Sequence, residues 1–523
     1  VNRADGLARL DEETFDVLVV GGGASGLGAA VDAAARGYRT ALIEAEDFAK
    51  ATSSRSTKLV HGGVRYLQQG DVGLVREALR ERTALRANAP HLVHDLAFVV
   101  PAYRPAEIAY YGAGLKLYDL LAGRSGFPPS RIVSTRGALE LIPALVPHGL
   151  HGAVVYSDGQ FDDARLAITL ARTAVDRGAA VANYVRAVAL RYEGKRIAGV
   201  HAVDGETGRA LEIRARTVIN ATGIFVDELR ALDDRSAPPL LTYSRGSHIV
   251  VRAETLGGAT AALLVPKTSD GRILFAVPWH GHVVIGTTDI ATPHPELDPV
   301  PTQAEVTFIL ETVNRFLTRP LAESQVQAAF AGLRPLVNRK ATTTAKLSRE
   351  HVIDVSASGL VTITGGKWTT YRKMAEDVVD IAAARAGLPQ KPSPTARMPL
   401  HGATNDLPAD DALRVYGSDA GAVVALGRSD AALRAPFHVR LPYTRAEIVY
   451  AARDEMARTV EDVLARRTRA LFLDAQAALE SAPGVAALLA TELRRDEGWQ
   501  EEQIRSFELL VYAAQAATFR TSP

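Results

Sequence analysis

Six small residues near the start of the chain, Gly21-Gly22-Gly23-Ala24-Ser25-Gly26, sit between an apolar stretch and an alanine-rich one, and Glu44 follows 18 residues after the last of them. That spacing suits the holding of a dinucleotide. Gly21 permits a tight turn, and Gly23 lets the backbone approach a pyrophosphate. Gly26, with Ala30 and Ala34, lets a helix pack closely on a sheet. Ala24 and Ser25 open that helix, whose free N–H groups and positive dipole end favour phosphate. Glu44 is placed to bond ribose hydroxyls. A carboxylate there favours an unphosphorylated ribose, as in NAD or the adenosine half of FAD, and does not choose between them.

The elements that must position these residues are legible around them. FDVLVV (15–20) reads as a buried strand running into the glycines, and TALI (40–43) as a second strand ending at Glu44. DDARLAITLARTAVDRGA reads as an amphipathic helix ended by Gly178. The strands TVIN and VTITG run into Ala221-Thr222-Gly223 and Gly365-Gly366-Lys367, and are expected in the same sheet with their Gly turns near the cofactor. GRILFAVPW and HVVIGTTDI flank a short turn containing Gly281, a hairpin signal. No second G-x-G-x-x-G follows a strand, which disfavours electron exchange between two dinucleotide folds.

Composition narrows the classes further. A net charge of +1 gives no footprint for nucleic acid. With no cysteine, thiol catalysis, Cys-ligated zinc and a flavin–cysteine bond are excluded. The polar N-terminus lacks a secretory apolar core, and no run is long enough to span a bilayer, so a cytoplasmic chain is expected. The pairs His91/His94, His148/His151 and His280/His282 lack carboxylate partners at ligand spacing, so no metal is expected. The fold expected is α/β with α+β insertions. Residues 1–70, 151–235 and 341–390 form a discontinuous Rossmann-like nucleotide-binding domain, and 71–150 with 236–340 an antiparallel-sheet cap. A proline-bearing linker spans 391–404, and a helical domain 405–523. In that last region Thr444 and Glu447 have capping-box spacing, and the charge run after them reads as a solvated face laced with ion pairs.

Longer motifs carry a resemblance. ATSSRSTKLVHGGVRYL (51–67) directly follows the first nucleotide-binding unit. YSDGQFDDARL, VINATG, RGSHIVV, VPW with IGTTD, AGLRPL, SRE and GGKWTTYRKMAED then follow in order. Together with LPYTRAEIVYAARDEMARTVEDVLARRTR (441–469), these resemble the FAD-dependent glycerol-3-phosphate dehydrogenases, within the D-amino-acid-oxidase-like flavoproteins, over nearly the whole chain. Departures are modest: Val64 and Trp368 stand where many bacterial members have Leu. Trp368 is read as either pocket rim or core.

The resemblance implies FAD, held non-covalently, and sn-glycerol 3-phosphate as substrate. Thr52, Ser53 and Ser54 are then expected at the cofactor with Lys58, Gly62 and Gly63. Trp368 and Thr369 join them beside the Gly365-Gly366 turn. Arg65, Tyr66, Arg334, Arg349 and Lys367 are expected at the substrate with Thr287 or Thr288. A phosphate monoester needs such cations, because charge-assisted bonds carry its affinity. Arg334, Lys367 and His61 are the catalytic candidates; for His61, a proton-accepting role and simple contact with the flavin both stay open. Electrons are expected to pass to a membrane quinone, with O2 as the alternative acceptor and a noncatalytic nucleotide sensor as the remote rival. The aromatic stretch with Tyr103, Tyr110, Tyr111 and Tyr118 is read either as a peripheral contact with the inner membrane or as a buried cap. A homodimer is left open.

Overall fold

The computed structural model describes residues 2–64, 67, 71–123, 126–266, 268, 271–338 and 351–518. The fingerprint strand Thr14–Val20 lies inside an eight-stranded sheet. It pairs in parallel with Thr40–Ile43 on one side and Ala210–Asn220 on the other. Ala210–Asn220 pairs in parallel with Val361–Gly365. Parallel pairing aligns the carboxyl ends of strands that lie far apart in the chain, so all their Gly turns open on one edge. The expected sheet membership of TVIN and VTITG is met.

The small residues of the fingerprint helix, Ala24–Ala35, have a direct steric reason. A Cβ at Gly26 would sit 1.8 Å from the Gly21 carbonyl oxygen, and one at Gly28 would meet the Tyr371 ring at 2.9 Å. The helix therefore packs tightly on both the sheet turn and the helix Tyr371–Arg385.

A second, ten-stranded and largely antiparallel sheet stands beside the first. Its long pair is Leu241–Arg252 with Val326–Val337. The expected hairpin joins Leu274–Trp279 to His282–Gly286, with His280 and Gly281 both left-handed at the turn. Two strands depart from expectation: Gly152–Phe161 and Leu59–Val60, both expected with the nucleotide-binding domain, lie in the second sheet, the first pairing along its whole length with Val93–Ala102 and the second pairing with the first. The aromatic stretch is the helix Pro105–Ala122, which buries Leu115 and Tyr118 and exposes Tyr110, Leu117 and Leu120.

The helical region after residue 405 packs on the second sheet, with Leu464, Phe472 and Leu489 meeting Val250, Trp279 and Phe330 in one core. Glu447 caps Arg445–Asp454 as its spacing predicts, accepting from the Thr444 N–H at 2.6 Å. The proline-rich segment is docked rather than loose: Tyr38 Oη donates to the Pro389 carbonyl at 2.6 Å, and Asn88 Nδ2 to the Thr395 carbonyl at 2.9 Å. The expectation of a solvated charge run is overturned. Arg466, Arg467 and Arg469 are each at most 2% exposed and pair with carboxylates of the nucleotide-binding domain. A guanidinium can be buried only when its donors are bonded, and these find their acceptors hundreds of residues away.

Candidate active site

The carboxyl edge of the first sheet opens into a cleft of two joined cavities, of about 490 and 300 Å³. Both are lined by Gly23, Thr52, Ser53, Ala221 and Gly223, so the waist between them lies at the fingerprint turn and the start of its helix. Gly23 gives that helix no side-chain cap, and Ser53 Oγ accepts from the Ala24 N–H at 3.0 Å. A helix N-terminus beside glycine backbone and the Ser53 hydroxyl is an anion cradle. A pyrophosphate at the waist would place one nucleotide half in each cavity.

The larger cavity is also lined by Gly21, Glu44 and Thr222. Glu44 is held at its wall: Oε2 accepts from the Gly22 N–H at 2.5 Å and Oε1 from the Glu46 N–H at 2.8 Å. Burial pushes its carboxyl above the ordinary range, partly offset by those two bonds. Glu44 is the residue expected at the adenosine ribose.

The smaller cavity adds Ala24, Ser25, His61 and Arg334, and then Gly365, Gly366, Lys367, Trp368 and Thr369. It thus brings together three candidates from distant parts of the chain, His61, Arg334 and Lys367. Arg334 comes from the strand Val326–Val337 of the second sheet; its Nη2 donates to Thr287 Oγ1 at 2.9 Å and its Nη1 to the Thr288 carbonyl at 3.1 Å. Gly246 makes room for it, since a Cβ there would lie 2.3 Å from Arg334 Nη2. The His61 N–H donates to Thr369 Oγ1 at 3.2 Å, tying the two loops of this wall together. Trp368 is rim and core at once: it lines the cavity, donates from Nε1 to the Ser53 carbonyl at 2.9 Å, and packs edge-on against Phe161 and Tyr371.

Several expected contacts are corrected. Thr288 faces away from the cleft, 3% exposed, with its Oγ1 donating to Glu305 at 2.7 Å; Thr287 is the threonine on Arg334. Ser54 and Lys58 do not line the cleft. The Lys58 ammonium is fully buried on Asp163 at 2.8 Å and on the Ser54 carbonyl at 2.9 Å, among the rings of Trp279, Phe330 and Phe472. Burial lowers its pKa to about 8. Gly62 and Gly63 also lie behind the wall; the Gly62 N–H donates to Tyr118 Oη at 2.8 Å. Gly26 packs rather than binds. Arg65, Tyr66 and Arg349 fall outside the described residues.

The motifs did not single out His248, which also lines the smaller cavity. It stacks on Phe330 with ring centroids 4.8 Å apart, and its Nε2 meets Thr57 Oγ1 at 2.9 Å. Burial first, then the charges of Lys58 and Arg334, hold its pKa well below the ordinary value, so the ring is neutral. Gly286 makes room for it, because a Cβ there would meet its ring at 2.3 Å. A histidine inside an apolar strand carries no local signal of this placement.

Fold and cleft together define an FAD-dependent oxidoreductase. Residues 16–372 match the family model described as FAD dependent oxidoreductase, and residues 361–503 that described as the C-terminal domain of alpha-glycerophosphate oxidase. The chain is 41% identical over 541 residues to the mitochondrial glycerol-3-phosphate dehydrogenase of Macaca fascicularis, covering 95% of this chain and 73% of that protein. It is also 41% identical over 522 residues to glycerol-3-phosphate dehydrogenase 2 of Mycobacterium bovis, covering 96% and 88%. The crystal structure of the Bacillus halodurans glycerol-3-phosphate dehydrogenase complexed with FAD superposes with a TM-score of 0.80 at 29% identity, over 100% of this chain and 98% of that one. The chain belongs to the FAD-dependent glycerol-3-phosphate dehydrogenase family, and FAD is its cofactor.

Proposed function

We propose that the chain oxidises sn-glycerol 3-phosphate at C2 to dihydroxyacetone phosphate and passes both electrons to a quinone. The observation that carries this reading is the meeting of Arg334 and Lys367 with His61 in the smaller cavity. FAD in the cleft would accept the C2 hydride at flavin N5, with its isoalloxazine in that cavity.

The protein's own residues then have three tasks. Lys367 and the forked guanidinium of Arg334 bind the phosphate dianion and offset charge developing on the C2 oxygen. Arg334 is pre-oriented for this by Thr287 and the Thr288 carbonyl. His61 takes the hydroxyl proton. His248 is a poor base, since burial suppresses its protonation and Thr57 engages its Nε2. Arg65, Tyr66 and Arg349 are proposed to complete the substrate site.

The quinone reading is supported by an apolar cavity of about 380 Å³ under the helix Pro105–Ala122, lined by Tyr110, Tyr111, Leu117 and Val64. Leu120 beside it is 76% exposed and Ile132 61%, a surface suited to lipid. Among the described residues no helix is long and apolar enough to cross a membrane, so attachment would be peripheral, on the cytoplasmic face. The oxidase named for the C-terminal family keeps O2 as the second reading.

Anaerobic mixing with sn-glycerol 3-phosphate tests the proposal. Flavin absorbance should bleach at turnover rates and return on adding a quinone analogue. A yellow protein that does not bleach overturns the substrate assignment; return in air alone at turnover rates makes it an oxidase.

A further inference from the structure

The loop 47–58 separates the nucleotide-binding domain from the helical domain, and its two sides are built differently. Thr52 and Ser53 line the cleft, while the Ser54 carbonyl turns inward. There it accepts from Arg469 Nη2 at 2.8 Å and from Lys58 Nζ at 2.9 Å. Asp163 closes the arrangement. It accepts from Arg469 Nη2 at 3.1 Å and Lys58 Nζ at 2.8 Å, and from the N–H and Oγ of Ser56 at 2.9 and 2.7 Å. Earlier in the same loop, Asp47 accepts from Arg466 Nε at 2.5 Å and from Arg467 Nη1 at 2.6 Å.

Burying these ions is costly, and well-packed apolar side chains often hold two elements together as firmly. What the ionic arrangement adds is direction. A guanidinium bonded to the Ser54 and Ala465 carbonyls and to a carboxylate fixes the peptide it touches, and the next peptide back carries the Ser53 carbonyl bonded to Trp368, beside the Ser53 Oγ bonded to Ala24. Arg469 itself sits at φ +63°, a left-handed conformation that side chains other than glycine rarely adopt. Strain of that kind persists where surrounding bonds over-determine the geometry.

We propose that Arg469 is a positioning residue for FAD: through the Ser54 carbonyl and Asp163, the helical domain sets the loop that grips the cofactor at the waist of the cleft. The helical domain is on this account part of the cofactor site although none of its described residues lines the cleft.

The test is FAD release from diluted holoenzyme, followed by flavin fluorescence. It needs no substrate, so it stands apart from the substrate assignment. Arg469→Met should raise the FAD dissociation constant at least tenfold. With FAD saturating, KM for sn-glycerol 3-phosphate should stay within twofold, because Arg334 comes from another strand and Lys367 from another loop. Arg469→Lys keeps the charge but loses the guanidinium fork, and should weaken FAD three- to tenfold, less than Arg469→Met does. Arg453→Ala breaks the exposed pair with Glu492 in the same domain and should leave FAD affinity unchanged. FAD affinity within twofold of the parent in Arg469→Met, or an equal loss in Arg453→Ala, overturns the proposal. If Arg469→Met does not fold, Arg469→Lys decides: a three- to tenfold weakening is expected, and less than twofold overturns it.

Discussion

The two sides of the loop that follows Glu44 solve opposite problems. Toward the cleft it presents the small side chains of Thr52 and Ser53, so that a charged ligand meets little steric bulk. Toward the helical domain it presents Asp47 and the Ser54 carbonyl to three buried arginines. The first side is built from neighbours in sequence. The second is built from partners such as Arg466 and Asp47, 419 residues apart. Binding a ligand by backbone needs local geometry, whereas fixing one domain against another needs long-range pairing. The two sides should therefore fail differently when altered.

The largest effect is expected on the cleft side. Gly26→Val would drive a branched Cβ into the Gly21 carbonyl, whose oxygen lies 1.8 Å from it. Neither backbone can yield without moving the turn, a strain on the order of 3 kcal/mol. Flavin absorbance per mole of purified protein should fall to near zero; a fully yellow protein would mean that the turn does not carry the cofactor. Next comes Arg334→Met, which leaves the waist untouched. Flavin content should be normal while kcat/KM falls by about 10²–10³, the usual effect of losing a donor to developing charge. Parental turnover in that variant would remove Arg334 from the chemistry.

The same division explains what the sequence made legible. The fingerprint, the strands ending in Gly turns, the Gly281 hairpin and the Thr444–Glu447 cap are all patterns within a few residues, where periodicity and turn chemistry act. The buried arginines were misread because a run such as Arg466-Arg467 looks the same whether water or Asp47 receives it. Thr287 and Thr288 could not be separated because neighbouring residues on extended backbone face opposite ways, and choosing between them requires the register of Arg334. Lys58 and Ser54 were assigned to the cleft by their loop, but direction within a loop is set by its packing. His248 was overlooked because Phe330 and Thr57, which make its environment, lie far from it in sequence.

A third alteration probes the interdomain side through pH. His401 lies in the docked segment between Asp176, at 2.6 Å, and Asp419, at 2.7 Å. Burial alone would lower its pKa, but the two carboxylates outweigh it and raise it from 6.5 to about 9. A raised folded-state pKa contributes stability that is complete below the unfolded value near 6.5 and is lost as pH rises through about 9. Since Asp176 is 48% exposed, screening reduces the gain to about 1–2 kcal/mol. Thermal melts of the parent should lose about 2 °C more between pH 6.5 and 9.5 than melts of His401→Gln. Parallel curves would show that the pair does not brace the domains.

The smallest effect is expected where the two sides meet. Trp368 is bonded to the Ser53 carbonyl, one peptide from the Ser54 carbonyl held by Arg469. Trp368→Leu removes one hydrogen bond and two edge-on ring contacts, each worth about 1 kcal/mol. It leaves Arg469, Lys58 and Asp163 in place to hold the same loop. If the loop is positioned mainly from the helical domain, turnover should stay within a few-fold and FAD affinity should fall less than in Arg469→Met. Should Trp368→Leu weaken FAD more than Arg469→Met does, the grip belongs to the cleft wall, and the distinction between a binding side and a positioning side of this loop fails.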